Sequence, residues 1–177
     1  MSRKGLLVGM AAVVVLAVPA AAQQRGTMEF GAFASGANFE HSLSLKTGYG
    51  GGGRIGMYLD PRFAFEFEEA EMRATRPNGL KDVNVGILSS RLVVSSLRVG
   101  SATMFFGGGA GVSTETNFLH TYGVDGLAGL KFALSDHAAF RTDVVVDFLA
   151  NNGWHTYQSV RMGISWYRHP DVVVDKK

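Results

Sequence analysis

The chain contains no cysteine and only four prolines, and after residue 22 it has no long uncharged apolar run. Without cysteine there is no disulfide framework, so stability must come from packing and backbone pairing. The missing apolar run excludes a membrane helix in the later chain, because a helix needs about 20 such residues to span a bilayer. Any membrane entry would therefore be as a closed barrel. Helical apolar periodicity is also absent after residue 22. There is no G-K-[ST] phosphate loop, and no two histidines share metal-ligand spacing.

The chain opens with Arg3-Lys4, an uncharged stretch from Gly5 to Val18, Pro19 and then Ala20-Ala21-Ala22. A basic start, a short apolar core and an A-x-A site describe a secretory signal peptide over 1–22, with Gln23 as the expected mature N-terminus. Without Arg3 and Lys4 the remaining chain carries 15 residues of each sign. The overall basicity thus belongs mostly to targeting, and nucleic acid is not an expected partner.

What is abundant is glycine (23) and phenylalanine (12), arranged with a period of two. In Gln158–Tyr167, Val160, Met162, Ile164 and Trp166 alternate with Ser159, Arg161, Gly163 and Ser165. That pattern predicts a strand with one apolar and one polar face. Seven further strands are expected before it: Met28–Phe39, Thr47–Leu59, one from Phe63 onward, one from Val83, Ala102–Val112, Tyr122–Leu134 and Phe140–Phe148. Phe33 intrudes on the polar face of the first. In the third, parity slips after Phe67, which predicts a bulge or a strand leaving lipid. In the fourth, Val83, Val85 and Ile87 form the apolar set.

Asp60-Pro61, Leu97–Ser101 and Ser135-Asp136-His137 read as short turns. Asn38–Lys46, Arg76–Gly79, Ser113–Thr121 and Leu149–Tyr157 read as longer loops. Short turns at one end and long loops at the other characterise outer-membrane barrels. Eight strands place both ends of the barrel domain, 23–167, on the periplasmic side, with 168–177 as a tail.

Side-chain size orients the faces. Opposite the apolar set stand Gly, Ala and Ser, with charges of both signs and few lysines. The interior of a narrow barrel holds little more than side chains. Arg54, Glu66, Glu68, Lys131, Arg141, Asp143, Asp147 and Arg161 are therefore expected to form an interior network, joined by Glu29 and Asp125, in a structural role. Aromatics at the ends of the apolar bands, Tyr49, Phe63, Tyr122, Phe140, Trp154, Tyr157, Trp166 and Tyr167, are expected at the membrane interfaces.

These features resemble the OmpA/OmpX-like family of small eight-stranded outer-membrane β-barrels. The likeness rests on the leader, Phe105-Phe-Gly-Gly-Gly-Ala-Gly111, Arg141-Thr-Asp143 and the terminal Arg-Met-Gly-Ile-Ser-Trp strand. It implies an all-β, up-and-down transmembrane barrel in the cell outer membrane. Its partners would be outer-membrane lipids, the assembly machinery and an extracellular ligand held by the loops; a monomer with no cofactor is expected. A closed lumen and a structural or surface-interaction role follow, with no enzymatic activity. One departure is the tail Arg168–Lys177, where such barrels often end on an aromatic residue.

Other readings carry specific requirements. Gly48-Tyr-Gly50-Gly-Gly-Gly53 matches G-x-G-x-x-G, but a strand follows it rather than a helix, so crowding inside the barrel accounts for the glycines. A lipid-modifying enzyme would need Ser42 with His41 and Glu40, or Ser113 with Glu115 and His120, assembled at the lipid-facing rim. His41, His120 and His155 would have to converge to hold a metal. A soluble lipocalin-like carrier would need the faces reversed.

Overall fold

The computed structural model describes residues 24–40, 44–77, 80–115, 118–150 and 154–170, with the side chains of 115 and 118–120 left aside. It is a closed antiparallel barrel of eight strands, each paired with the next and the last with the first. The strands are β1 (Met28–Phe39), β2 (Thr47–Tyr58), β3 (Phe63–Ala74), β4 (Val83–Val99), β5 (Ala102–Glu115), β6 (Phe118–Ser135), β7 (Ala138–Ala150) and β8 (Trp154–Arg168). The leader at 1–22, His41, Ser42 and the tail beyond Pro170 lie outside the described residues.

Closure joins β1 to β8 in unbroken register from Met28↔Arg168 to Phe39↔Tyr157. No strand edge is left open, which a barrel in hydrocarbon requires. One end of the barrel, the turn end, carries the β2–β3, β4–β5 and β6–β7 connections together with the start of β1 and the end of β8. There Asp60 Oδ1 accepts hydrogen bonds from the backbone N–H of Arg62 (2.6 Å) and Phe63 (2.9 Å). Ser135 Oγ accepts from His137 N–H (3.2 Å), and Gly100 takes φ +60° in the β4–β5 turn.

At the opposite, loop end, two expected loops are mostly strand. β5 runs to Glu115 and β6 starts at Phe118, so most of Ser113–Thr121 lies within the two strands. Leu149–Tyr157 likewise lies largely within β7 and β8. Polar composition suggested loops there, but cross-strand pairing continues wherever a strand stands clear of the apolar belt.

Of the two explanations for the pattern in β3, the bulge does not occur: its register with β4 is unbroken from Phe63↔Val94 to Ala74↔Val83. The polarity of the two faces changes instead. Phe63, Phe65 and Phe67 point outward and are followed on the same face by Glu69, Glu71 and Arg73. Glu66 and Glu68 point inward and are followed by Ala70, Met72 and Ala74.

The apolar set of β4 also points inward, contrary to expectation. Val83, Val85 and Ile87 are buried and pack with Ala37, Phe39, Met72 and Tyr157 into an apolar cluster inside the loop end. The outward face of the same region is polar: Arg73 Nε donates to Asp82 (3.0 Å), and Asn84 donates to Glu71 (3.1 Å). Here the barrel is apolar inside and polar outside, the order water imposes. Nearer the turn end the order is reversed.

Inward glycines make the narrow barrel possible. A Cβ at Gly50 would collide with the Glu71 carbonyl, and one at Gly109 with the Ser90 carbonyl. By contrast, Gly36 faces outward into open space.

Candidate functional site

The alternation of each strand delivers charged side chains to the lumen, where they interlock in layers. Lowest lies Glu29 of β1. It accepts from Lys131 Nζ (2.6 Å), Tyr58 OH (3.1 Å) and Ser165 Oγ (2.6 Å). Arg141 of β7 grips Glu66 of β3 with two hydrogen bonds, at 2.6 and 3.0 Å. Arg141 Nε also donates to Asp143 Oδ2 (2.8 Å), which receives Arg54 Nη1 (3.0 Å) as well.

Above these, Glu68 is shared by two guanidinium groups. Arg91 Nη1 donates to its Oε1 at 2.7 Å, and Arg161 Nη1 donates to the same oxygen. Arg91 Nε reaches Asp125 Oδ1 at 2.6 Å. Two inward phenylalanines serve as platforms: the Arg54 guanidinium lies 4.7 Å from the Phe33 ring centroid, and that of Arg141 lies 4.2 Å from Phe105. Phe33 therefore belongs on the charged face, where it supplies cation–π contact. Buried charge is costly unless paired and hydrogen-bonded, and these layers pair their charges across seven of the eight strands.

The expected interior residues Arg54, Glu66, Glu68, Lys131, Arg141, Asp143, Asp147 and Arg161 are all buried in the lumen. Seven join the network. Asp147 sits opposite Tyr157 in register, and its Oδ2 has no hydrogen-bond partner among the described residues. Arg91, which links Glu68 to Asp125, was missed by the sequence reading. Its signal was available: Arg91 shares parity with Val83, Val85 and Ile87, so sending that set to lipid would have sent a guanidinium there too.

The outward face is apolar through the barrel's middle, with Phe30, Ile55, Phe65, Leu92, Phe106, Val144 and Val160 all exposed. Tyr49, Tyr122 and Trp154 stand outward near the loop end, while Phe63, Phe140 and Trp166 face outward near the turn end. Two aromatics are corrected. Tyr157 is 1% exposed and stacks inside on Phe39, with ring centroids 5.3 Å apart. Tyr167 has inward parity and lies against Tyr58 at 6.4 Å. Nearness to a strand end points both to the interface, whereas parity decides the direction.

Of the residues weighed for catalysis, Ser113 points inward and is buried. His41 and Ser42, and the side chains of Glu115 and His120, lie outside the described set. His155 Nδ1 stands 3.9 Å from Glu40 Oε2. Among the described residues no group of three His, Cys, Asp or Glu side chains is placed to hold a metal ion.

No family model matches the chain, and no curated protein matches it. Solved structures do. Neisserial surface protein A aligns with a TM-score of 0.66 at 13% identity, over 80% of this chain and 99% of that one. The outer membrane protein OprG of Pseudomonas aeruginosa aligns at 0.59 and 11% identity, over 84% and 98%. Ail, the attachment invasion locus protein of Yersinia pestis, aligns at 0.56 and 12% identity, over 82% and 100%. The chain thus has the fold of small eight-stranded outer-membrane β-barrels, the fold implied by the OmpA/OmpX-like resemblance.

Proposed function

We propose that this protein resides in the bacterial outer membrane, delivered by its leader, as a barrel with a closed, non-porin lumen. Its role is structural or one of surface interaction, not enzymatic. The observation that carries this reading is the pairing of faces: exposed Phe65, Phe106, Val144 and Val160 surround buried Arg141, Glu66, Arg91 and Glu68. A water-soluble barrel gains nothing from that order, since it exposes apolar surface and buries charge. A lipid-embedded barrel requires it. The outer-membrane origin of the structural relatives supports the same location.

A soluble carrier would need the opposite faces and an apolar ligand chamber, but the middle of the lumen is filled by ion pairs. A hydrolase built on Ser113 would need its nucleophile at the lipid-facing rim, and Ser113 points into the barrel. The partners we assign are outer-membrane lipids, the machinery that inserts barrels, and an extracellular ligand met at the loop end. The chain acts as a monomer.

Fractionation of cells expressing the full chain tests the location. The protein should sediment with outer membrane and shift in gel mobility on boiling, and reconstituted bilayers should show no steady large conductance. Soluble recovery without detergent and without a mobility shift would refute the membrane reading. Large, stable channels would refute the closed lumen.

A further inference from the structure

The lumen holds one more carboxylate than it holds cations. Among the described residues Glu29, Glu66, Glu68, Asp125, Asp143 and Asp147 are buried, against Arg54, Arg91, Lys131, Arg141 and Arg161. The lower layer balances: Glu29 meets Lys131 at 2.6 Å, Glu66 meets Arg141 at 2.6 Å and Asp143 meets Arg54 at 3.0 Å. The layer above does not, because Glu68, Asp125 and Asp147 have only Arg91 and Arg161 among them. Arg54 Nε, 3.7 Å from Glu68, links the two layers without changing the total. The carboxylate left over is Asp147, which alone of the six makes no ion pair among the described residues.

The register places that surplus charge among unused oxygens. Asp147 of β7 stands directly opposite Asp125 of β6 on one side and Tyr157 of β8 on the other. Directly opposed residues have Cβ atoms about 4.5–5.5 Å apart, and like charges at that spacing repel. Ser159 follows two positions after Tyr157 on the same inward face of β8. Asp125 Oδ2, Asp147 Oδ2, Tyr157 OH and Ser159 Oγ all lack a hydrogen-bond partner. Their residues are deeply buried, none more than 8% exposed. Arg91 Nη2 and Arg161 Nε and Nη2 also lack partners in this layer. Water suits those N–H groups, but water carries no charge and leaves the surplus in place.

We propose that Asp125 and Asp147, with Tyr157 and Ser159, form a binding site for one monovalent alkali cation, sodium or potassium. One positive charge balances the lumen, whereas a divalent ion would overshoot it. The donor set contains oxygen alone, which is what a hard cation takes. Two carboxylates are few for a divalent cage, in keeping with the lack of any three-ligand metal group among the described residues. A proton would also cancel the charge, but it can engage only two of the four oxygens. The site stands on the interior charge balance and does not depend on the barrel's cellular location.

Urea unfolding of the full chain in lipid vesicles tests this, at fixed pH and ionic strength in sodium, potassium or tetramethylammonium chloride. The midpoint should rise saturably with sodium or potassium and not with the bulky organic cation. The expected gain is about 1 M urea once the ion stands a hundredfold above its dissociation constant. Asp147→Asn removes the surplus charge and should abolish the gain, whereas Glu69→Gln, on the outer face, should keep it. Retained mobility shift on boiling shows that each variant folds. If Asp147→Asn does not fold, Tyr157→Phe removes one ligand oxygen and should raise the half-saturating ion concentration several-fold. Equal midpoints in the three salts would overturn the proposal, as would an undiminished gain in folded Asp147→Asn. A midpoint that answers to pH and to neither metal ion would assign the missing charge to a proton and overturn it too.

Discussion

Arg141 and Glu66 clasp each other across the barrel from β7 and β3, strands four places apart in the ring of eight, through parallel hydrogen bonds of 2.6 and 3.0 Å. Both side chains are buried. The pair therefore acts as a crossbeam, and its two halves are not separately dispensable. Removing one partner of such a pair strands a buried charge, at a cost of about 3–5 kcal/mol.

The first prediction follows from that asymmetry. Arg141→Met alone and Glu66→Leu alone should each lower unfolding stability by that amount, read from urea titrations in lipid vesicles. The double variant, which leaves neither of these charges unpaired, should recover much of the loss. Equal and additive losses would show that the pair is not coupled.

The second prediction concerns the corrected parity of β4. Ile87 is buried in the loop-end cluster, whereas neighbouring Leu88 is exposed on the outside. Ile87→Ala should cost about 2–5 kcal/mol through lost burial and a cavity. Leu88→Ala should cost clearly less. Comparing the two unfolding midpoints decides it, and the reverse order would mean that Ile87 faces outward.

How much of this was legible depended on what each residue reports. Strands with charge on one face and bulk on the other, such as Phe140–Phe148, revealed both direction and environment. Val83, Val85 and Ile87 revealed only that one face is apolar, and the rule that apolar means lipid-facing fails where the barrel stands in water. Arg91, on the same parity, marked the inner face. Polar stretches such as Ser113–Thr121 read as loops because composition does not register cross-strand pairing. The crossbeam partners could be named as interior residues, but which cation meets which carboxylate depends on register, and a single strand does not encode that.

The third prediction separates the inward glycines from the outward ones. Gly50→Val places a side chain against the Glu71 carbonyl and should block closure, leaving protein that does not shift in mobility on boiling. Gly36→Val meets nothing within 4 Å and should fold as the parent does. Loss of folding in both would show that flexibility, and not interior crowding, is what those positions require.

The central claim is that lipid meets the Val144 face of the barrel and never the Arg141 face. Photolabelling the membrane-embedded protein with a lipophilic carbene reagent, followed by residue-level mapping of β7 and β8, tests it most directly. The account predicts label at Val144, Phe148, Val160 and Met162, with Arg141, Asp143 and Arg161 unlabelled. Label on Arg141 or Asp143 in place of Val144 would contradict it.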